Sequence, residues 1–317
     1  MTTRSLPRLA CIGECMVELS PANRGLYKQA FAGDTLNTAI YAIRTAGKSI
    51  NTSYITAVGN DHFSDRMIDF FQSENINSQW VVRLADKLPG LYSIELDQYG
   101  ERSFSYWRNN SAARALFSHG LEEHQVAELA ESFDLYYLSG ISLAILDDHS
   151  RSLLKQVLIR ARERGARVAY DSNYRPRLWK SKAEAQAVTL EFLALTDIAL
   201  VTFDDEQALF DDQSVSQTLS RLSSVGEVVI KQGSEGCTIV HNQNTVYVPT
   251  TPVSEVIDTT SAGDSFNGGY LARRMLDDTP EVAAAFAHKL AGTVIQYKGA
   301  IIPEAVTSQL LEIETSC

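Results

Sequence analysis

The strongest chemical signal in the sequence is the segment 258–266, DTTSAGDSF, which leads into a predicted helix. Its small residues allow the backbone N–H groups of Ser261, Ala262 and Gly263 to point at one anion, and the positive end of the helix dipole strengthens that attraction. Asp264 would stand beside the anion, where its carboxylate can accept a proton from a hydroxyl that attacks phosphorus. Helix capping is the simpler alternative. A run of small residues that ends in Asp favours the anion site.

A second glycine-containing segment, 32–39 (AGDTLNTA), also opens a predicted helix. After Gly33, the side chains of Asp34 and Asn37 stand three residues apart and therefore share one face of the helix. A carboxylate and a carboxamide together can accept and donate hydrogen bonds, as sugar hydroxyls require. Capping explains Asp34 or Thr35 but not easily the whole pattern, so a sugar site and a cap both stay open here.

Two further segments follow predicted strands. Segment 171–179 (DSNYRPRLW) would lie at the carboxyl end of its strand, where open α/β sheets hold their ligands. Arg175 in that position can bind a carboxylate or a phosphate through two parallel hydrogen bonds. Segment 231–236 (KQGSEG) has glycines that suit a tight turn at which a nucleotide approaches the backbone. An ordinary β-hairpin turn explains that segment equally well.

The elements that must position these residues alternate short apolar runs with longer amphipathic ones. This pattern predicts strand–helix–strand units, and therefore an α/β fold with a doubly wound, mostly parallel sheet flanked by helices. The predicted strands are Leu9–Ile12, Tyr54–Val58, Leu135–Ser139, Arg167–Tyr170, Ile198–Thr202 and Glu227–Lys231. The predicted helices are Thr35–Ala46, Ser64–Glu74, Asp148–Arg164, Lys182–Leu195, Val215–Ser223, Ala262–Met275 and Glu281–Tyr297.

Two stretches, 14–31 and 88–111, have an extended, alternating pattern instead. Tyr99-Gly100 lies between two strand-like runs, as a hairpin turn would. We expect these stretches to form a small separate sheet that acts as a lid, with Tyr92, Tyr106 and Arg108 closing on the ligand. An additional β-ribbon at the sheet edge is the alternative. No linker divides the chain, so residues 1–317 are expected to form one domain with the lid segments inserted.

Acidic residues outnumber basic ones by 39 to 28, which gives a formal net charge of −11. This balance argues against nucleic acid or an anionic membrane as partner, and it requires local cations, N–H groups or a metal to hold any anionic substrate. The sequence shows no secretory h-region and no apolar run of about 20 residues. Four scattered cysteines do not make a disulfide framework. A cytoplasmic location is predicted.

These motifs carry a resemblance to a known family. DTTSAGDSF resembles the C-terminal signature of the PfkB or ribokinase family of carbohydrate kinases, usually DTTGAGDSF, and AGDTLNTA resembles its N-terminal glycine motif. Within that family, IGECMVELS, LPGLYSIE, YWRN and DSNYRPRLW are similar to the kinases that act on 2-keto-3-deoxygluconate. The similarity runs in order from about residue 9 to residue 303.

The resemblance implies a ribokinase-like fold whose β-sheet lid often forms a dimer interface, so that a homo-oligomer, dimeric or larger, is expected. It also implies transfer of the γ-phosphoryl group of ATP, with Mg²⁺, to the 6-hydroxyl of 2-keto-3-deoxygluconate. Its implied site residues fall into groups: the base Asp264 with the anion hole Ser261, Ala262 and Gly263; the sugar contacts Gly33, Asp34 and Asn37; the keto-acid contacts Tyr92, Tyr106, Arg108 and Arg175; the nucleotide contacts Asn173, Arg175, Lys231, Gly233, Ser234 and Gly236, joined by Ser261 and Gly263; and Glu206 for Mg²⁺.

The sequence departs from the family pattern at three places. Ser261 and Ala32 stand where glycines are usual, and the N-x-x-E pattern near Glu206 lacks its Asn. Two alternatives remain. A fructokinase-type or ribokinase-type enzyme for a neutral sugar would not need two arginines, and a catalytically silent sugar-binding protein would not need an intact Asp264.

Overall fold

The computed structural model describes residues 6–22, 25–96 and 102–315. Its main feature is a nine-stranded sheet with the order β13-β12-β11-β10-β9-β8-β1-β4-β5. The pairs from β11 to β5 are parallel, and β12 and β13 are antiparallel additions at one edge. The strands are β1 (Arg8–Ile12), β4 (Asn51–Val58), β5 (Val81–Arg83), β8 (Leu135–Ser139), β9 (Arg167–Asp171), β10 (Ile198–Thr202), β11 (Glu227–Lys231), β12 (Gly236–His241) and β13 (Asn244–Pro249).

A small sheet stands apart from the large one, with the order β3-β2-β6-β7. Its strands are β2 (Met16–Pro21), β3 (Tyr27–Ala32), β6 (Gly90–Leu96) and β7 (Arg102–Trp107). They come from the two stretches whose alternating pattern predicted a separate sheet. The predicted turn at Tyr99-Gly100 lies outside the described residues, although β6 and β7 do pair in antiparallel fashion.

Helices cover both faces of the large sheet, which explains why its central strands are buried along nearly their whole length. All five residues of β8, for example, are buried. One core layer includes Ile40 and Tyr270, and the opposite layer includes Leu154 and Leu158. The helices are α1 (Asp34–Ala46), α2 (His62–Ser73), α3 (Glu123–Leu129), α4 (Gly140–Ile145), α5 (Asp148–Glu163), α6 (Lys182–Leu193), α7 (Phe203–Phe210), α8 (Val215–Arg221), α9 (Ala262–Met275), α10 (Pro280–Val294) and α11 (Glu304–Thr315).

Helices α1 and α9 pack against each other unusually closely. A Cβ atom on Gly268 would stand 2.6 Å from the carbonyl oxygen of Thr38 and 2.9 Å from the backbone nitrogen of Ala42. Only glycine therefore permits this approach. The close packing brings the two glycine-containing segments, which open α1 and α9, to the same end of the molecule.

The predicted doubly wound α/β fold is confirmed, and Ala262–Met275 is predicted with both ends correct. The sequence analysis missed the hairpin β12–β13 and the helices α3, α4, α7 and α11. Segment 231–236 contains the turn between β11 and β12, which is the alternative that the pattern left open.

No helix among the described residues combines the length and the apolar character needed to cross a bilayer.

Candidate active site

The candidate site lies along the carboxyl ends of the parallel strands, where α/β sheets hold their ligands. Ser139 ends β8, Asp171 ends β9 and Lys231 ends β11. The N-termini of α1 and α9 approach the same edge, and they bring Asp34, Asn37 and Asp264 to it.

Asp264 lies in the first turn of α9 and is held by α1. Asn37 Nδ2 donates a hydrogen bond to Asp264 Oδ2 at 2.9 Å, and Thr38 Oγ1 donates to the Asp264 backbone oxygen at 3.2 Å. Burial raises the pKa of Asp264 to about 7, with a further increase from the neighbouring Asp34, while the hydrogen bond from Asn37 opposes the increase. A carboxylate that titrates near neutral pH is suited to accept a proton.

The turn before α9 has the shape of an anion site, with one departure from the prediction. Ser261 adopts the left-handed conformation, with φ 64° and ψ 14°. The N–H of Ala262 donates to the carbonyl of Thr259 at 3.2 Å, so one of the three predicted donors is already engaged. The first turn of an α-helix leaves its N–H groups without helical acceptors, so Gly263 and Asp264 can supply the remaining donors.

Lys231 points into the site and not along the β11–β12 turn. Its Nζ donates to Asp171 Oδ2 at 3.1 Å and to Asn267 Oδ1 at 3.0 Å, and only 6% of the residue is exposed. A Cβ on Gly263 would lie 3.6 Å from this ammonium group. Lys231 therefore places a positive charge directly behind the anion site. The sequence analysis gave no role to Asp171 or to Asn267, whose Nδ2 donates to Asp171 Oδ2 at 2.7 Å.

Asp34 is held on the side that faces β8 and β9. Ser139 Oγ donates to Asp34 Oδ2, and Asn173 Nδ2 donates to the same oxygen at 2.9 Å. Burial raises the pKa of Asp34, and the hydrogen bond from Ser139 opposes that shift. Asn173, which was assigned to the nucleotide, thus has its amide at the predicted sugar motif. The backbone of Asn173 has a positive φ of 31°, which is uncommon for a residue other than glycine.

The predicted lid residues share one face of the small sheet. The rings of Tyr92 and Tyr106 lie 5.8 Å apart, and the Arg108 guanidinium carbon lies 6.0 Å from the Tyr106 ring centroid. Two acidic residues that the sequence analysis did not single out contact them. The hydroxyl of Tyr92 donates to Glu18, and Arg108 pairs with Glu14; these four side chains are buried, whereas Tyr106 is exposed.

Arg175 lies at another part of the site. Its Nη1 contacts Asp205 Oδ1 at 3.3 Å and the side chain is about half exposed. Arg108 is paired instead with Glu14. Burial raises the pKa of Asp205 to about 6, and Arg175 opposes that shift. Each of the two predicted arginines is thus held by a carboxylate of the chain in this structure.

Glu206 is fully buried in α7, and its Oε2 accepts a hydrogen bond from Arg221 at 2.7 Å. Burial raises the pKa of Glu206, and Arg221 and the hydroxyl of Ser172 oppose that shift, so Oε1 has Ser172 nearby although it makes no hydrogen bond of good geometry in the described structure. Within that same part of the chain, no three His, Cys, Asp or Glu side chains form a ready-made metal cage. Such a cage is not needed for Mg²⁺, which commonly keeps several waters and uses one or two carboxylates together with substrate phosphates. The Oε1 oxygen of Glu206 fits that mode.

The chain belongs to the pfkB family of carbohydrate kinases, whose sequence profile matches residues 6–307. Among its curated relatives, the 2-dehydro-3-deoxygluconokinase of Escherichia coli K12 is 46% identical over 305 residues, which cover 93% of this chain and 97% of that one. The 2-dehydro-3-deoxygluconokinase of Haemophilus influenzae is 43% identical over 310 residues, 96% of this chain and 98% of that one.

A solved structure supports the fold independently. The crystal structure of 2-dehydro-3-deoxygluconokinase from Thermotoga maritima superimposes with a TM-score of 0.83 at 18% identity, covering 96% of this chain and 99% of that chain.

Proposed function

We propose that this carbohydrate kinase transfers the γ-phosphoryl group of ATP to the 6-hydroxyl of 2-keto-3-deoxygluconate, giving the 6-phosphate. The observation that carries this proposal is the buried Asp264 carboxylate, held by Asn37 beside the first turn of α9. The acceptor is proposed from the relatives that share 43–46% identity with the chain and are named for this compound, which is also called 2-dehydro-3-deoxygluconate.

In the proposed reaction, the 6-oxygen forms a bond to the γ-phosphorus while the bond between that phosphorus and the leaving oxygen of ADP breaks. The proton of the 6-hydroxyl passes to Asp264. Phosphoryl transfer has a loose transition state, so positioning and charge stabilisation provide most of the catalysis. Gly263 and Asp264 N–H groups would hold phosphoryl oxygens at the start of α9, with the Lys231 ammonium behind them.

Asp34 and Asn37 are proposed to position the sugar hydroxyls, with Gly33 allowing the approach. Glu14 and Gly33 lie so close that a Cβ on Gly33 would stand 2.1 Å from the Glu14 carbonyl oxygen, so residue 33 must be glycine. Arg108 is proposed to bind the acid end of the substrate beneath Tyr92 and Tyr106. Closure of the small sheet over the sugar would exclude water and limit wasteful ATP hydrolysis.

The nucleotide is proposed to lie on the other side of Asp264, between the β11–β12 turn (Gly233, Ser234 and Gly236) and the loop that carries Arg175. When bound, Mg²⁺ would neutralise the charge of the ATP phosphates. Glu206 is the proposed residue that orients it, through its Oε1 oxygen. Asp205, which lies beside Arg175, is the nearest additional carboxylate on the same helix.

A homodimer through the small sheet and a cytoplasmic location complete the proposal. The dimer is supported by large apolar side chains that the small sheet leaves exposed, including Tyr27 at 55% and Trp107 at 61%. Large exposed apolar patches commonly mark interfaces, and Tyr27 and Trp107 lie on the two edge strands, β3 and β7. Light scattering of the wild type and of Trp107→Glu tests it: a dimer that dissociates in the variant supports the assignment, and a monomeric wild type contradicts it.

The product identifies the reaction. Incubation with Mg·ATP and 2-keto-3-deoxygluconate, followed by phosphorus and carbon NMR, should show one phosphate ester, with the phosphorus coupled to C6. A phosphate at another carbon would overturn the proposed geometry, because Asp264 would then face a different hydroxyl. ADP release without any ester would indicate ATP hydrolysis and contradict the kinase assignment.

A further inference from the structure

Glu14 and Arg108 form a buried ion pair beneath the small sheet. Their side chains are 1% and 6% exposed, and Nη2 of Arg108 donates to Oε2 of Glu14. Each partner also has a buried polar atom without a hydrogen-bond partner, namely Oε1 of Glu14 and Nε of Arg108. The pair therefore offers one free acceptor and one free donor.

The pair lies between the sugar motif and the small sheet. The backbone carbonyl of Glu14 packs against Gly33, and a Cβ on Gly90 would stand 2.7 Å from Glu14 Oε1 and 3.3 Å from the Arg108 Cβ. Arg108 is also close enough to Asp34 to lower the pKa of that carboxyl group. Glu14 Oε1 thus lies against Gly90 of β6, while the Glu14 backbone contacts the sugar motif and Arg108 is within electrostatic range of Asp34.

Burial of two charges is costly, and their mutual attraction compensates only when the remaining lone pairs and protons are also satisfied. An unsatisfied buried polar atom costs about 1–3 kcal/mol. Native proteins keep few such atoms, and a ligand that satisfies them gains that energy on binding. Two of them on one ion pair beside the sugar motif indicate a ligand with a matching donor and acceptor.

We propose that Glu14 is a specificity residue of this site: its Oε1 accepts a hydrogen bond from a hydroxyl of the sugar acid while Arg108 Nε donates to an oxygen at the acid end. This inference rests on the proposed function. Glu14 and Arg108 would each recognise a different part of one substrate, the hydroxyl and the acid end. A simple carboxylate would satisfy only Arg108, and a sugar without an acid group would satisfy only Glu14.

Local charge is compatible with an anionic ligand despite the presence of Glu14. Arg114 is half-buried and makes no ion pair within the described structure, and it lies within electrostatic range of both Glu14 and Arg108. Burial lowers its pKa, and Glu14 opposes that shift. Arg108 and Arg114 therefore offset the charges of Glu14 and Asp34 in this corner of the site.

Glu14→Gln is the direct test. The amide oxygen can still accept from Arg108, but the atom that faces the substrate then becomes an NH₂ donor, which cannot accept from the hydroxyl. We expect the KM for 2-keto-3-deoxygluconate and its calorimetric Kd to rise at least about 10-fold, because charge-assisted hydrogen bonds of this kind contribute about 1.5–3 kcal/mol. The KM for ATP should change less than about 2-fold.

Glu74→Gln provides the matched control. Glu74 forms another largely buried pair, with Arg44 at 2.7 Å, away from the site, so its substitution tests stability alone. Its KM values should stay at the wild-type level. Unchanged or tighter sugar-acid binding by Glu14→Gln would overturn the proposal, because Glu14 would then be only a counter-ion of Arg108.

Arg108→Lys keeps the charge and removes Nε, which gives a second measurement if Glu14→Gln folds poorly. It should also weaken binding of the sugar acid, and the double variant should lose less than the sum of the two, because both act on one ligand. Additive effects would contradict shared recognition. Wild-type turnover separates the two claims: a wild type that does not phosphorylate the sugar acid contradicts the proposed function, whereas an active wild type with an unaffected Glu14→Gln contradicts only this inference.

Discussion

Asn37 Nδ2 donates to Asp264 Oδ2 at 2.9 Å and so connects two motifs that lie 227 residues apart in the chain. The bond fixes the orientation of the Asp264 carboxylate relative to α1, which carries the proposed sugar contacts. It also favours the ionised form of a carboxyl group whose pKa burial has raised to about 7. Orientation and ionisation of the proposed base therefore depend on the same amide.

Asp264→Asn should lower kcat by a factor of about 1,000 or more, since both the proton acceptor and the local charge are removed. Binding of ATP should change only modestly, because the N–H groups of α9 remain. Steady-state kinetics and ATP titration measure both quantities. Turnover near the wild-type value would remove Asp264 from the role of base.

The same variant should show an unusual dependence of stability on pH. The folded pKa of Asp264, about 7, lies above its ordinary value of about 3.9, so ionisation costs the folded state more than the unfolded state. The wild type should therefore lose free energy of unfolding as the pH rises from about 4 to about 7, relative to Asp264→Asn. Denaturant unfolding should show the variant more stable by about 4 kcal/mol at pH 8 and by only about 1 kcal/mol at pH 4.5. A variant advantage that shrinks as pH rises would contradict the raised pKa.

Lys231→Met should shift the activity profile towards alkaline pH. The Lys231 charge is one of the influences that lower the pKa of Asp264, so its removal leaves the base protonated to higher pH. The profile of kcat/KM in the wild type should rise through about pH 7, and that of the variant should rise later. Lys182→Met, which removes a lysine from an exposed pair with Asp211, is the control and should not move the profile. An unmoved profile in Lys231→Met would show that this charge does not act on Asp264.

Arg108→Ala should raise the KM for 2-keto-3-deoxygluconate about 100-fold, in line with the loss of a buried charged hydrogen bond, while the KM for ATP stays nearly constant. Because Glu14 then remains buried without its cation, stability should also fall. Arg44→Ala breaks the comparable pair with Glu74 and separates the two effects. Equal increases in both KM values for Arg108→Ala would exclude a specific role at the acid end.

Ser261→Gly should stabilise the protein by about 0.5–1 kcal/mol and preserve activity. Ser261 has φ 64°, a left-handed conformation that is costly for residues with a Cβ and free for glycine. Greater freedom of glycine in the unfolded chain reduces the gain. Ser111→Gly, at φ −67°, is the matched control and should destabilise. A lower denaturation midpoint for Ser261→Gly would show that Ser261 is not strained.

Local sequence patterns predicted the helices and strands whose formation depends on the hydrophobic pattern and the residues at their ends. The start of α9 follows from a run of small residues before an amphipathic segment, and β8, β10 and β11 follow from short apolar runs. The hairpin β12–β13 was missed because its polar residues, such as Asn244 and Thr245, mask the strand pattern.

Hydrogen bonds between residues far apart in the sequence could not be predicted from residue spacing. The bonds between Asn37 and Asp264, and between Asn173 and Asp34, arise only when the sheet places distant helices and loops at one edge. Lys231 was expected in a nucleotide loop, yet the twist and packing of β11 turn its side chain towards Asp171. Glu14 gave no signal at all, since a lone glutamate at the start of an extended segment indicates solvent exposure more often than a buried ion pair.

The most direct test of the account is a comparison of kcat/KM, with Mg·ATP, for 2-keto-3-deoxygluconate, its galactonate epimer, gluconate, fructose and ribose. The account predicts that 2-keto-3-deoxy acids exceed the neutral sugars by at least about 100-fold, because the neutral sugars have no acid group for Arg108 to bind. A preference for fructose or ribose would keep the carbohydrate kinase and contradict the proposed substrate.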